Sequence, residues 1–257
     1  MKVYLELREE RPAVDQFSRK LVDALQNRGV AVTTVAGEAD LVIAVGGDGT
    51  MLSAAAVAHA ADLPVLGFNL GTLGFLTTAD PEDLQSVVSR LVDGDYDIDN
   101  RMTVAARTHG GVFHGVNDVV IEKVDNQRLV ELEVAIGGVE FATYRSDGLI
   151  VASPTGSTAY SFSAGGPLVS PAVDAIVLTP VAAHSLFSRS IVLPAEQEIT
   201  ITVHRDRAVK VSVDKQNLGE LGNGDKVVVT RGDRPVQFVT FGSPSFAGLV
   251  KDKFDLP

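Results

Sequence analysis

An aspartate framed by glycines is the segment of this sequence best suited to chemistry. Residues 46–50 read Gly-Gly-Asp-Gly-Thr, after the apolar run Leu41–Val45 and before an alanine-rich segment from about Met51 to Ala61. Glycines let a backbone approach phosphates without a side-chain clash, and N–H groups at a helix start can face an anion. A carboxylate at Asp48 can accept a hydroxyl proton or help to hold a cation. A tight strand–helix turn with a capping aspartate is the structural alternative. The predicted phosphate-donor loop comprises Gly46, Gly47, Gly49 and Thr50.

Three later segments offer polar groups that could contact the same ligand. Residues 69–76 read Asn-Leu-Gly-Thr-Leu-Gly-Phe-Leu and could line the same crevice, although a simple connecting loop explains them equally well. The pair Asn117-Asp118 offers donors and acceptors suited to a ribose diol, although a turn before a strand would use the same residues. Residues 146–160 combine glycines with several hydroxyl groups that can wrap a polar ligand closely, and Tyr160 can stack on a nucleotide.

The elements that must position these residues alternate between strands and helices in the first part of the chain. Strand patterns at Val3–Leu7, 41–45 and Pro64–Phe68 alternate with helical patterns that begin at Pro12 and at about Met51. Repeated strand–helix units predict a parallel sheet, and ligands bind at the carboxyl ends of the strands in such sheets. We therefore expect an α/β domain with a Rossmann-like parallel sheet.

Short strands with turn signals replace this alternation in the rest of the chain. Glycine pairs at Gly110-Gly111 and Gly137-Gly138 predict hairpin turns. This part is therefore predicted to be mainly β, with a domain boundary close to Asp99. The acidic stretch 93–99 is interpreted as a solvated linker, and residues 246–254 have a weak helical pattern.

Composition and charge exclude several classes of function. The 257 residues include no cysteine, which excludes disulfides and thiolate metal sites. The formal net charge of -11 disfavours binding to nucleic acid or to anionic membranes, because both need clustered cations. The sequence has neither a signal-peptide pattern nor an apolar run that could span a bilayer, so we expect a cytoplasmic protein. The excess of acidic residues also suggests a cytoplasm of high salt, as a hypothesis.

Taken in order, these segments resemble the NAD kinase family over nearly the whole chain. The shared features are the Gly-Gly-Asp-Gly-Thr turn, the loop at 69–76, Arg101, the pair Asn117-Asp118, and the segment from Asp147 to Tyr160. The last segment is highly specific, whereas the first is shared with diacylglycerol-type lipid kinases and more loosely with phosphofructokinases. A lipid kinase is therefore one alternative, and a non-catalytic NAD(H)-binding sensor with the same fold is another.

The resemblance implies a fold and a reaction. The fold would be an α/β domain at residues 1–98, an all-β sandwich-like NAD-binding domain at 99–236, and a tail at 237–257 that returns to the first domain. The reaction would transfer a phosphoryl group to the 2'-hydroxyl of the adenosine ribose of NAD and form NADP. The donor would be ATP or polyphosphate with Mg²⁺ or another divalent cation, whose ligands stay unassigned. NADH is an alternative acceptor, and a homodimer or homotetramer is implied.

The resemblance also implies roles for individual residues. Asp48 matches the general base of the family and a contact of the dinucleotide. The other implied NAD-binding residues are Gly49, Asn117, Asp118, Arg145, Asp147, Thr155, Thr158, Ala159, Tyr160, Ser163 and Gln216. The family often has Glu at position 118, and it usually has Pro where this chain has Ala183 and Ser190. His184 is open to two interpretations, a hydrogen-bonded structural histidine or a ligand contact.

Overall fold

The chain forms two compact units, and its last segment returns to the first of them. A computed structural model describes residues 1–7, 11–71, 74–125, 127–205, 207–242 and 245–256. The first unit comprises Met1–Arg101 and Pro235–Pro257, and the second comprises Met102–Arg234. The return of the last segment confirms the predicted course of the tail.

The first unit begins with the predicted alternation of strands and helices. Its first five strands are β1 (Lys2–Glu6), β2 (Ala31–Thr33), β3 (Leu41–Gly46), β4 (Pro64–Asn69) and β5 (Asp97–Arg101). Its first three helices are α1 (Pro12–Asn27), α2 (Asp48–Ala61) and α3 (Leu84–Asp93). Helix α1 begins with a proline, which suits a first turn that needs no N–H donor, and it buries one apolar face.

Close packing fixes the junction between β3 and α2, where the glycine turn lies. Every residue of β3 is buried, as expected for a central strand of a parallel sheet with both faces covered. The alanine-rich helix α2 buries Ala54, Ala55 and Ala58 completely. Gly67 in β4 leaves room for Met51, since a Cβ at Gly67 would lie 2.6 Å from the Met51 sulfur.

The second unit is a sandwich of two six-stranded antiparallel sheets, as predicted. Its strands are β6 (Val104–Thr108), β7 (Gly111–Gly115), β8 (Asp118–Lys123), β9 (Val130–Ile136), β10 (Val139–Ser146), β11 (Gly148–Ala152), β12 (Ala175–Val181), β13 (Ile191–Pro194), β14 (Ile199–His204), β15 (Val209–Val213), β16 (Gln216–Leu221) and β17 (Lys226–Arg231). A short helix, α4 (Tyr160–Ser163), follows β11. The strand orders are β10-β9-β14-β17-β6-β7 and β13-β12-β11-β8-β15-β16. One core joins the sheets, with Leu132 and Ile201 from the first and Ile121 and Leu149 from the second.

Two late elements complete the first unit. These are β18 (Val236–Thr240) and α5 (Phe246–Lys253). The sheet has the order β2-β1-β3-β4-β18-β5, and its strands are parallel except for β5 against β18. The interpretation of residues 93–99 as a solvated linker is wrong for 97–99, which belong to β5. Acidic residues suit this edge strand because its side chains are exposed or half-buried, and its hydrogen-bond partner comes from a distant segment.

Candidate active site

Asp48 is the first residue of helix α2, immediately beyond the carboxyl end of β3. The sequence pattern predicted a helix from about Met51, so the helix starts earlier than expected. Gly47 precedes it in extended backbone, with φ -105° and ψ -169°. The first turn of α2 is polar, so apolar periodicity in the sequence does not detect it. An acidic side chain in this turn is stabilised by the partial positive charge of the helix N-terminus.

Two backbone N–H groups hold the carboxylate of Asp48. The N–H of Phe75 donates to Oδ2 over 3.1 Å, and the N–H of Leu76 donates to Oδ1 over 3.2 Å. Gly74 permits this close approach, since a Cβ at that position would lie 2.0 Å from Oδ1 of Asp48. Each carboxylate oxygen retains a further lone pair. The carboxylate is therefore fixed in orientation and still able to accept a proton.

A cavity of about 490 Å³ opens beside this carboxylate. The described residues that line it are Arg11, Ala13, Val14, Gly46, Gly47, Asp48, Leu70, Gly71, Gly74 and Lys253. Two of these residues are cationic and one is a carboxylate, while the others contribute backbone or apolar side chains. This combination suits an anionic ligand that must come close to Asp48.

Part of the predicted phosphate-donor loop lines the cavity, and another part packs against the residues that line it. Gly46 and Gly47 line the cavity. Thr50 is buried, and a Cβ at Gly46 would lie 2.4 Å from its Oγ1. Gly49 is exposed in the first turn of α2. The backbone of the two leading glycines therefore faces the cavity, and Thr50 packs against the turn.

The loop predicted at residues 69–76 contributes to the same cavity. Leu70, Gly71 and Gly74 are among the lining residues, which confirms the interpretation of this loop as a crevice wall. The N–H of Leu70 donates to the carbonyl of Gly46 over 3.0 Å, which joins this loop to the glycine turn. The N–H of Gly71 donates to Oδ1 of Asn69 over 3.1 Å. The predicted Thr72 and Leu73 lie outside the described residues.

In the second unit, Asp214 holds the loop that carries Asn117 and Asp118. Its Oδ2 accepts the N–H of Val116 over 2.6 Å, and its Oδ1 accepts the N–H groups of Asn117 and Asp118 over 2.8 Å and 3.1 Å. The N–H of Asp214 donates to the carbonyl of Asp118 over 3.1 Å. Sequence reasoning assigned a role to the nearby Gln216 and missed Asp214.

The turn that presents Asp214 explains why it was missed. Asp214 and Lys215 join β15 to β16, and both have positive φ, at 47° and 69°. Two-residue turns of this kind usually carry Asn-Gly or Asp-Gly, so a lysine at the second position removes the local signal. Gln216, the predicted contact, is exposed at the start of β16.

A second set of contacts fixes Asn117 from the segment after β11. The N–H of Ser153 donates to the carbonyl of Asn117 over 2.8 Å, and its hydroxyl donates to the carbonyl of Val116 over 2.5 Å. Gly156 passes so close that a Cβ there would lie 2.0 Å from the carbonyl oxygen of Asn117. The backbone of Asn117 is therefore held from two directions, while the residue stays half-buried at the start of β8.

Asp118 is a buried carboxyl group with an altered proton affinity. Burial, with the negative charge of Asp214 as a second cause, raises its pKa from 3.8 to about 7, and Lys215 opposes this shift. Burial also raises the pKa of Asp214, against the lowering effect of the three backbone N–H groups that it accepts. The buried carboxyl group of Asp118 therefore keeps its proton to a higher pH than an exposed aspartate would.

The raised pKa of Asp118 predicts a pH-dependent stability. Between about pH 4 and pH 7 the folded chain keeps a proton that the unfolded chain releases, so this group's stabilisation is lost as pH rises through that window. The loss is at most about 1.4 kcal/mol per pH unit. Urea titrations give the free energy of unfolding of the wild type and of the Asp118→Asn variant. The wild-type value minus the variant value should fall as pH rises through this window and should level off at higher pH. A difference independent of pH would contradict the assignment.

Tyr160 lies near the carboxyl groups of both Asp118 and Asp147. Burial raises the pKa of Tyr160, and the carboxylates of Glu122, Asp147 and Asp118 raise it further. Asp147 also forms an ion pair of 2.6 Å with Lys123. Tyr160 is 42% exposed, so part of its ring is accessible to a ligand. The structure therefore places Tyr160 within electrostatic reach of two other predicted NAD-binding residues.

The remaining predicted NAD-binding residues differ in exposure. Thr155 is buried, and the hydroxyl of Thr158 donates to its carbonyl over 3.0 Å within the 3-10 helix Thr155–Thr158. Arg145 and Ser163 are exposed, and Ala159 is half-buried. The N–H of His184 donates to the carbonyl of Arg145 over 2.7 Å.

Comparison with known proteins identifies the family. Residues 1–96 match the ATP-NAD kinase N-terminal domain, and residues 116–241 match the ATP-NAD kinase C-terminal domain. An NAD kinase of Moorella thermoacetica is 42% identical over 267 residues, covering 95% of this chain and 86% of the relative. The chain belongs to the NAD kinase family.

Solved structures from NAD(H) kinases have the same fold. Yeast NADH kinase complexed with NADH superposes with a TM-score of 0.89 at 24% identity, covering 99% of this chain and 87% of that one. An NAD kinase from Archaeoglobus fulgidus in complex with ATP gives a TM-score of 0.77 at 22% identity, covering 99% of this chain and 97% of that one. These likenesses confirm the predicted fold class.

Membership of the NAD kinase family confirms the predicted enzyme class, a phosphotransferase, and its reaction. Neither alternative, the lipid kinase or the non-catalytic sensor, is supported by these relatives. Among the helices in the described ranges, none is long and apolar enough to cross a membrane. The roles of individual residues stay predictions.

Proposed function

We propose that this chain transfers the terminal phosphoryl group of ATP to the 2'-hydroxyl of the adenosine ribose of NAD, with Asp48 as the general base. The observation that carries this proposal is the fixed carboxylate of Asp48 at a cavity with a glycine backbone and two cations. Phosphoryl transfer needs alignment and charge neutralisation more than covalent help from the protein. The cavity offers both.

In the proposed reaction, Asp48 acts as the general base. As the hydroxyl oxygen attacks the γ-phosphorus, its proton passes to the carboxylate of Asp48. The new O–P bond forms while the bond to the β–γ bridging oxygen breaks, and ADP leaves with that electron pair. Because the N–H groups of Phe75 and Leu76 hold the carboxylate, little reorientation is needed during the reaction.

The acceptor is proposed to bind to the second unit through the loop at Asn117 and Asp118. The half-buried amide of Asn117 and the carboxyl of Asp118 can pair with the hydroxyl groups of a ribose. Tyr160 lies near the carboxyl groups of both Asp118 and Asp147, and it is proposed to contact another part of the same dinucleotide together with Asp147. The other predicted contacts, from Arg145 to Ser163, stay part of this proposal.

ATP is the proposed donor because the family is described as ATP-NAD kinase and the Archaeoglobus fulgidus relative was solved with ATP. NADH is a candidate second acceptor, since the yeast relative was solved with NADH. A divalent cation such as Mg²⁺ would enter with the donor and neutralise phosphate charge. Asp48 is the one carboxylate among the described lining residues, which fits an ion held mainly by phosphates and water.

Two further proposals follow from family membership rather than from geometry. We place the protein in the cytoplasm, where both proposed substrates occur, and we propose a homodimer or homotetramer. Sedimentation of the purified chain measures the assembly directly.

The proposed reaction is tested by incubating the purified chain with NAD, Mg²⁺ and ATP and measuring NADP with an NADP-specific dehydrogenase. We expect NADP to form, and NADH and inorganic polyphosphate are then substituted in turn to define acceptor and donor. Diacylglycerol serves as the control acceptor. Failure to form NADP with every donor, or phosphorylation of diacylglycerol instead, would overturn the proposal.

A further inference from the structure

We propose that Arg11 and Lys253 bind the phosphate chain of the donor, so that helix α5 is part of the active site. This inference rests on the proposed function, because it names the side chains that receive the donor beside Asp48. Neither residue belongs to a segment that sequence reasoning connected with chemistry.

The cavity brings the two cations together from opposite ends of the chain. Arg11 precedes the first helix and Lys253 ends the last one, yet both line the 490 Å³ cavity with Asp48. The whole chain has 22 lysines and arginines against 33 aspartates and glutamates. The described lining residues have the opposite balance, two cations to one carboxylate, which favours an anionic ligand.

Backbone groups around Arg11 add to this positive character. Arg11 is the N-cap residue of α1, and Ala13 and Val14 in the first turn also line the cavity. The first turn of α2 reaches the same cavity at Asp48. Two helix N-termini therefore meet the cavity that the two cations line, and their partial positive charges act in the same direction.

Lys253 lies against the residue that holds Asp48. Its ammonium nitrogen is 5.9 Å from the ring centroid of Phe75, and the rings of Phe75 and Phe254 are 6.4 Å apart. The backbone N–H of Phe75 donates to Oδ2 of Asp48. Packing of α5 on Phe75 thus brings a cation to the same cavity as the carboxylate of Asp48, which is proposed to take the proton. A phosphate bound in this cavity would be neutralised by Lys253, and the attacking hydroxyl would approach it from the side of Asp48.

The chemical character of the residues that line the cavity indicates which part of the donor they bind. Among the described lining residues there is no aromatic ring on which a nucleobase could stack. Cationic side chains and backbone N–H groups recognise phosphate oxygens instead. The expected ligand class is therefore a polyphosphate chain, either on a nucleoside or as inorganic polyphosphate, and both sources should depend on the same two cations.

The test uses Arg11→Met and Lys253→Met, which remove each charge but keep an unbranched apolar stem. We expect the donor KM to rise by about 10–100-fold in each variant, the range for a lost charged hydrogen bond, while the NAD KM stays near wild type. ATP, GTP and inorganic polyphosphate should be affected alike. Lys253→Arg should restore most donor affinity, and Lys251→Met, an exposed lysine of the same helix, is the matched control.

Direct binding separates failure of this inference from failure of the proposed function. Calorimetry with inorganic tripolyphosphate should show binding to the wild type and weaker binding to Lys253→Met, whether or not NADP is formed. Unchanged donor KM and unchanged tripolyphosphate binding in both variants would overturn the inference. A fall in kcat with unchanged donor KM would also overturn it, because Lys253 would then act only by packing on Phe75.

Discussion

Asp48→Asn is expected to lower kcat by about 10²–10⁴-fold, the range for loss of a positioned acid–base group, while NAD affinity stays nearly unchanged. An amide cannot accept a proton at neutral pH, but it has the same shape as the carboxylate. It also keeps one oxygen that can accept an N–H from the loop at Phe75 and Leu76. Steady-state rates with saturating NAD and ATP, together with NAD binding by calorimetry, measure the two effects separately.

The matched control for this variant lies at the other end of helix α2. Asp62 is exposed at the C-cap with φ 56°, a conformation that asparagine adopts readily, so Asp62→Asn should keep wild-type kcat. The role of Asp48 would be refuted by near-normal kcat in Asp48→Asn. Equal loss of NAD binding and kcat would also refute it, because the residue would then only bind the substrate.

Asp214→Ala is expected to raise the NAD KM by about 10–100-fold or more, because it removes three hydrogen bonds to the loop at Asn117 and Asp118. Asp214 acts here as a positioning residue, since its carboxylate contacts backbone N–H groups of that loop. The donor KM should not change. Asp214→Asn keeps one acceptor oxygen and should give a smaller rise in NAD KM.

Two further measurements separate positioning from a general loss of stability. Asp225 accepts the N–H of Gly222 over 2.8 Å in an exposed turn, so Asp225→Ala removes a similar contact far from this loop and should leave the NAD KM unchanged. Asp214→Asn also removes a negative charge that raises the pKa of Asp118, so the pKa of Asp118 should fall. If both KM values rose equally in Asp214→Asn and the pKa of Asp118 stayed unchanged, the positioning role would be wrong.

Local patterns predicted the parts of the fold that depend on local chemistry. The buried run at β3 followed by small residues indicated a strand, a glycine turn and a helix, and all three are present. The glycine pair at 137–138 marked the turn between β9 and β10, where both glycines have positive φ. Such features were predictable because the backbone conformation itself requires particular residues there.

Features that depend on distant partners were not predictable from the sequence. Strand β5 is rich in aspartate and exists because β18 pairs with it. Asp214 acts through backbone N–H groups, which have no residue signature. Lys253 reaches the cavity only because the last segment folds back to the first unit. In each case the partner is set by tertiary structure.

The most direct test of the proposed chemistry is a crystal structure of the chain with NAD bound. The decisive quantity is the distance from the carboxylate oxygens of Asp48 to the 2'-oxygen of the adenosine ribose. A general base requires about 2.6–3.2 Å, or one bridging water, and we expect a distance in that range. A 2'-oxygen beyond the reach of Asp48, with a different carboxylate beside it, would contradict the account.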